Sequence, residues 1–226
     1  MSNPNLAPLP IGITPHSFDI LKNLNIPSSG LGDMFSQYVL PLARNQGIFN
    51  RQKLEVASVG ASTAAVAEVA FLVDQFGAKT PQLNVTAVEY ATGLNGFHLL
   101  QKEIAQLHTN ASHFPLVLDF QDGTDIHSLP GSFDVTMSRN PNPSAGDSFI
   151  EGIINATRPG GIIIITSAQG HDASAVAKNL NIVQARGVSF TKLVEDLPFS
   201  HPDLSGNIPN LDDRFWLLKR DIPVYD

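Results

Sequence analysis

One run of residues decides most of what this chain can become. Residues 53–59 are strand-like and pass through Val56-Ala57-Ser58-Val59 into a small-residue turn, Gly60-Ala61-Ser62. Residues 63–76 then carry Val66, Val69, Ala70, Val73 and Phe76 at helical spacing. Residues 83–89 form a second strand-like run that closes on Glu89. A strand, a tight turn, a helix and another strand make a parallel crossover unit, and parallel strands belong in a sheet covered by helices. The chain is thereby directed to an α/β fold.

The rest of the sequence repeats this alternation. Helices are expected at 33–50 (Phe35, Tyr38, Val39 and Leu42, with Pro41 marking a kink or break), 93–107, 148–157 and 173–185. Gly77 stands where a C′ glycine would end the helix at 63–76. The helix at 173–185 has Asp172 as its N-cap and Gly187 beyond its end. Further strands are expected at 114–120, 133–137, 162–166, 188–194 and 214–219. Ile162-Ile163-Ile164-Ile165 has no polar break and predicts a strand buried on both faces. No helix separates the last two strands, so they should be antiparallel neighbours. The expectation is a doubly wound, mostly parallel seven-stranded sheet with an antiparallel last strand and helices on both faces. Residues 1–32, rich in Pro, Asn, Ser and Gly, read as an arm or lid before a main domain at 33–226.

Composition narrows the function. The chain has 226 residues, 42% of them hydrophobic, and a net charge of −7. An acidic chain without a basic run is a poor partner for nucleic acid, because phosphate neutralisation supplies most of that affinity. The absence of cysteine excludes disulfides, thiolate chemistry and cysteine-ligated zinc. Met1-Ser2-Asn3-Pro4 and the residues after it show neither a basic n-region nor an apolar h-region. No apolar run reaches membrane-spanning length. The expectation is a cytoplasmic protein without a membrane partner. The Asn-x-Ser/Thr triplets at Asn84, Asn110 and Asn155 are then chance matches. The oligomeric state is open, a homodimer included.

Four local features resemble the seven-stranded class I S-adenosylmethionine-dependent methyltransferases, over residues 33–220. They are the turn at Gly60, the acid Glu89, the pair of stretches Asp119-Phe120-Gln121-Asp122-Gly123 and Leu129-Pro130-Gly131-Ser132-Phe133-Asp134-Val135, and Arg158-Pro159-Gly160-Gly161. The resemblance implies S-adenosylmethionine as cofactor and methyl transfer to an O, N or C acceptor on a small-molecule substrate. It places Val59, Gly60, Ala61 and Ser62 at the cofactor, with backbone N–H groups of the turn facing it. Glu89 then accepts hydrogen bonds from the ribose diol, and Tyr90 packs on the adenine. Asp122, with Gln121 beside it, meets the adenine amino group, and Asp119 competes for that role. Arg139 and Asn140 fall beside the transferable methyl.

Several readings stay open beside this one. The family carries an acid two residues before its first glycine and alternating glycines after it; here those places hold Ser58, Gly60, Ser62 and Ala64. That acid meets the methionine amine, so a binding or scaffold subunit without transfer activity is the alternative. A nicotinamide-dependent oxidoreductase ranks last, since none of Tyr38, Tyr90 and Tyr225 has Lys four residues on. His171, after the fifth strand, and His201, in the loop expected at 198–212, are candidate general bases at the sheet's C-terminal edge. The seven histidines show no metal-ligand spacing. Phe18, Phe35, Tyr38 and Phe199 either line a substrate pocket or belong to the core.

Overall fold

In the computed structural model the elements run, in chain order, β1 (Leu9–Ile11), α1 (Ser28–Met34), α2 (Leu40–Asn45), β2 (Leu54–Val59), α3 (Ala65–Phe76), β3 (Leu83–Glu89), β4 (Leu116–Asp122), β5 (Phe133–Arg139), α4 (Gly146–Ala156), β6 (Thr157–Ala168), α5 (His171–Ala185), β7 (Phe190–His201) and β8 (Leu211–Arg220). The structure describes residues 9–11, 28–60, 65–89, 116–122, 126, 129–139, 141, 146–168, 171–201 and 211–223. The helix expected at 93–107 lies outside them, as does Phe18. The chain divides into two units, Met1–Ile26 with Phe49–Thr124, and Pro27–Ile48 with Asp125–Asp226.

The first unit contains the crossover that opened the sequence reading. β2 pairs parallel with β3, from Leu54 opposite Leu83 to Val59 opposite Val88. β3 pairs parallel with β4, from Leu83 opposite Leu116 to Glu89 opposite Asp122. Val56, Ala57, Val59, Val85, Ala87 and Val88 are buried, so both faces of β2 and β3 are covered. α3 packs against both strands, and its Val69, Leu72, Val73 and Phe76 are buried. Two details depart from expectation. Gly77 opens a 3-10 turn, Gly77–Lys79, instead of closing α3 in the left-handed conformation. β4 runs on through Gln121 and Asp122, because β3 continues to Glu89 and offers them pairing partners. From the arm, Leu9–Ile11 adds a short strand antiparallel to β4.

The second unit holds the remaining strands. β5 and β6 are parallel, from Val135 opposite Ile162 to Arg139 opposite Thr166. β8 is antiparallel to β6 and to β7, which fulfils the expectation of an antiparallel last strand. Ile162, Ile163, Ile164 and Ile165 are fully buried, as are Phe215 and Trp216, consecutive in β8. Consecutive strand residues point to opposite faces, so both faces of this sheet are covered. Phe215 meets Tyr38 and Phe199, with ring centroids 6.4 and 6.3 Å apart. Phe35 and Phe199 are core residues.

The helical stretch before β2 starts at Ser28, earlier than the sequence suggested, and is not one regular helix. Between α1 and α2 lies a π-helical turn, Phe35–Val39, whose N–H of Leu40 donates to Phe35 O. Pro41 follows at once. Its ring has no N–H and would clash with the carbonyl one turn back, so the ladder widens there.

The stretches that resembled a family signature grip each other. Arg158 Nη1 donates to Asp134 Oδ1 at 2.9 Å, and Arg158 Nε donates to Gly131 O at 3.1 Å. The N–H of Gly131 in turn donates to Asn155 O at the end of α4, at 2.8 Å. Arg158-Pro159-Gly160-Gly161 therefore does not precede β6 but lies inside it, at a register shift against β5. Arg220 of β8 donates to the carbonyls of Ile154, Asn155 and Thr157. It thus caps the C-terminal end of α4 with a cation, and burial lowers its pKa.

Two further local expectations are corrected. Asp172 sits in the first turn of α5, one residue inside it, rather than at its N-cap; its charge there still suits the helix dipole. β7 extends through His201, so 198–201 is strand and not loop. Pairing explains this, since Pro198 to His201 lie opposite Arg214 to Leu211.

Candidate functional site

In the first unit, three parallel strands end together. Val59 closes β2 opposite Val88, and Glu89 closes β3 opposite Asp122, the last residue of β4. Ligands of open α/β sheets bind outside these carboxyl ends. Gln121 lies opposite Val88, one place back. Ala61, Ser62 and Tyr90 lie outside the described residues.

The turn after β2 is built for a close approach, with one qualification. Gly60 has φ +72°, a conformation that favours glycine. Its N–H donates to Val88 O at 2.9 Å, so this amide serves the sheet and does not face a ligand, contrary to expectation. The Val59 side chain is in the core, which leaves its backbone as the part suited to a ligand.

Sequence reasoning missed Glu68. Ser58 Oγ donates to Glu68 Oε2 at 2.8 Å, and both residues are buried. A carboxylate of α3 is therefore held at the C-terminal end of β2, two residues before Gly60. The signal was present: Glu68 stands three and four residues before Phe71 and Leu72, on a buried arc of the helix.

The second unit has its own C-terminal edge. β7 runs in the same sense as β6, because β8 is antiparallel to both. The ends of β5, β6 and β7 thus share one edge. Arg139 closes β5 opposite Thr166 and is half-buried. His171 opens α5, just after β6, and His201 closes β7 opposite Leu211. The tertiary structure therefore brings Arg139, His171 and His201 to the same edge, as backbone positions. Asn140 lies outside the described residues.

Buried polar groups gather near that edge. The hydroxyls of Ser138, Thr166 and Ser167 and Nε1 of Trp216 find no hydrogen-bond partner among the described residues. All four residues are fully buried. Asp213, also buried, lies opposite Ala168 and Phe199. Among the described residues, no group of His, Asp and Glu is arranged to hold a metal ion. No helix there is long and apolar enough to cross a membrane.

No protein-family model matches the sequence, and no curated protein matches it significantly. Solved structures do match. An S-adenosylmethionine-dependent methyltransferase from Methanosarcina mazei aligns over 81% of this chain and 98% of its own, with 11% identity and a TM-score of 0.53. A 16S rRNA (adenine(1408)-N(1))-methyltransferase mutant from Catenulisporales acidiphilia, with cosubstrate SAM, aligns over 82% and 92%, with 15% identity and a TM-score of 0.51. At this identity the likeness concerns the fold. The chain has the Rossmann-like α/β fold of class I S-adenosylmethionine-dependent methyltransferases.

Proposed function

We propose that the protein binds S-adenosylmethionine at the carboxyl ends of β2, β3 and β4 and transfers its methyl group to a small-molecule acceptor. The observation that carries this reading is the alignment of Glu89 with Asp122 at the ends of β3 and β4, next to the positive-φ glycine that follows β2. Two acids at adjacent strand ends suit the two hydrogen-bonding parts of an adenosine. A carboxylate at Glu89 accepts from the ribose diol, and one at Asp122 accepts from the adenine amino group. Gly60 has no Cβ to hold a ligand away from the backbone.

The bound cofactor would supply an electrophilic methyl on its sulfonium. This chain's residues would bind, orient and exclude water, and positioning is the largest demand of such a displacement. A hydroxyl acceptor also needs a base, and His201 and His171 are the candidate imidazoles for that role. The net charge of −7 favours a small or neutral acceptor over a nucleic acid.

A second reading, a fold relative that binds or scaffolds without transferring methyl, is favoured by Ser58. The residue at the expected acid position is a buried hydroxyl. Calorimetric titration with S-adenosylmethionine and S-adenosylhomocysteine, with NAD as control, separates the two. Micromolar binding of the adenosyl ligands alone supports the first. Absence of binding by all three removes it and leaves the scaffold reading.

A further inference from the structure

Glu68 is a carboxylate that the fold has placed in an expensive position. It lies on the fourth residue of α3 and is 2% exposed. Burying a carboxylate costs several kcal/mol unless hydrogen bonds or an opposite charge compensate it. One such compensation is on view: the Ser58 hydroxyl, itself fully buried, donates to Oε2 at 2.8 Å. The bond also fixes where the charge sits. Ser58 is the next-to-last residue of β2, opposite Ala87 of β3. The carboxylate is thus held near the end of β2, two residues before Gly60, level with Ala87 and Phe120 and two places short of Glu89 and Asp122.

A ligand that extends an adenosine across this edge ends in an amino-acid moiety with an ammonium group. An ammonium is what a buried carboxylate at that point would recognise. We propose that Glu68, oriented by Ser58, is the anionic residue that holds the ammonium end of the cofactor, so that the carboxylate comes from helix α3 and not from strand β2. The inference rests on the cofactor reading above and deepens it. It assigns Glu68 as a binding residue and Ser58 as a positioning residue. It also gives the serine at the end of β2 a purpose: a hydroxyl there donates to a carboxylate, whereas a second acid would repel it.

The test uses two ligands that differ only at the relevant end. S-adenosylhomocysteine carries the ammonium, and 5′-methylthioadenosine lacks the whole amino-acid moiety. In calorimetry, Glu68→Gln is expected to weaken S-adenosylhomocysteine by about tenfold or more, the scale of a hydrogen bond to a charged group. Binding of 5′-methylthioadenosine should stay within about twofold of wild type, since its contacts do not include the carboxylate. The double variant Ser58→Asp/Glu68→Gln reverses the hydrogen bond and returns the charge. It should recover most of the lost S-adenosylhomocysteine affinity. Equal weakening of both ligands by Glu68→Gln, or no weakening of either, overturns the assignment, and so does a double variant that folds but does not recover. Wild-type protein that binds neither ligand overturns the cofactor reading itself. Thermal unfolding of each variant shows whether it has folded, and the double variant keeps the question answerable if Glu68→Gln has not.

Discussion

Arg158 closes on Asp134 at 2.9 Å, and this contact ties the entry of β5 to the first residues of β6. Asp134 is fully buried, whereas the Arg158 side chain is 37% exposed. The same guanidinium holds the Gly131 carbonyl, so one side chain joins two stretches that are distant in sequence. Arg158→Ala should destabilise the protein by about 2 kcal/mol, because hydrogen bonds to charged groups are lost from a buried acceptor. Arg158→Lys should recover only part, since an ammonium cannot reach both acceptors in the same fork. Thermal and denaturant unfolding measure both. A Lys variant as stable as wild type would mean that charge alone matters here.

Gly161 and Gly131 provide a matched pair. A Cβ on Gly161 would lie 2.7 Å from Thr157 Cγ2 and 2.8 Å from the carbonyl oxygens of Arg158 and Asp134. Backbone atoms cannot retreat cheaply, so Gly161→Ala should cost about 2–3 kcal/mol through overpacking. Gly131 has φ +62° but open space where a Cβ would go. Gly131→Ala should cost only about 1 kcal/mol, the conformational penalty alone. Comparing the two denaturation midpoints tests whether the Gly161 position is a steric one.

The cofactor reading predicts opposite behaviour at two strand ends. Glu89→Ala should weaken S-adenosylmethionine by about tenfold, through loss of a charged acceptor. His201→Ala, at the end of β7, should leave that affinity within about twofold and slow turnover of a hydroxyl acceptor by about a hundredfold, the scale of general-base catalysis. Wild-type affinity in the first variant would remove the ribose assignment. Unchanged turnover in the second would remove that histidine as base.

Asp196 gives a pH-dependent test of stability. It is the only non-glycine residue with positive φ among those described, at 54°, and it sits at a register shift of β7. Arg214 grips it through Nε at 2.7 Å and Nη2 at 2.8 Å. This hydrogen bonding from Arg214 holds the Asp196 carboxyl below its ordinary pKa. A lowered carboxyl pKa adds stability that is present above the unfolded value of about 3.9 and lost as pH falls through the folded one. Asp196→Asn should therefore cost about 0.5 kcal/mol at pH 7, a small amount because the carboxylate is 45% exposed. The difference from wild type should shrink toward zero below the folded pKa. A difference independent of pH would show that the ion pair contributes nothing and that only the backbone conformation counts.

Some of this was legible in order and composition. The βαβ unit could be read because apolar periodicity and turn residues are local properties. Leu83 to Glu89 came out with the expected bounds for that reason. The sense of the last strand was legible too, since a loop without a helix leaves only an antiparallel return. Strand ends were less legible. Gln121, Asp122 and Arg139 read as loop because they are polar, yet each extends a strand because the neighbouring strand offers pairing there. Likewise, the proline signalled a break, but the widened turn before Pro41 is set by how Phe35 and Val39 pack into the core.

By itself the sequence determined the fold class, the strand that ends in Glu89 and the small-residue turn at Gly60, through patterns that act within a few residues of each other. Only the tertiary structure decided that Glu89 and Asp122 finish side by side, that Arg158 reaches back to Asp134, and that Glu68 returns a carboxylate to Ser58. Those relationships span separate elements. Register and helix rotation set them, and both are fixed by how the whole core packs rather than by any local pattern.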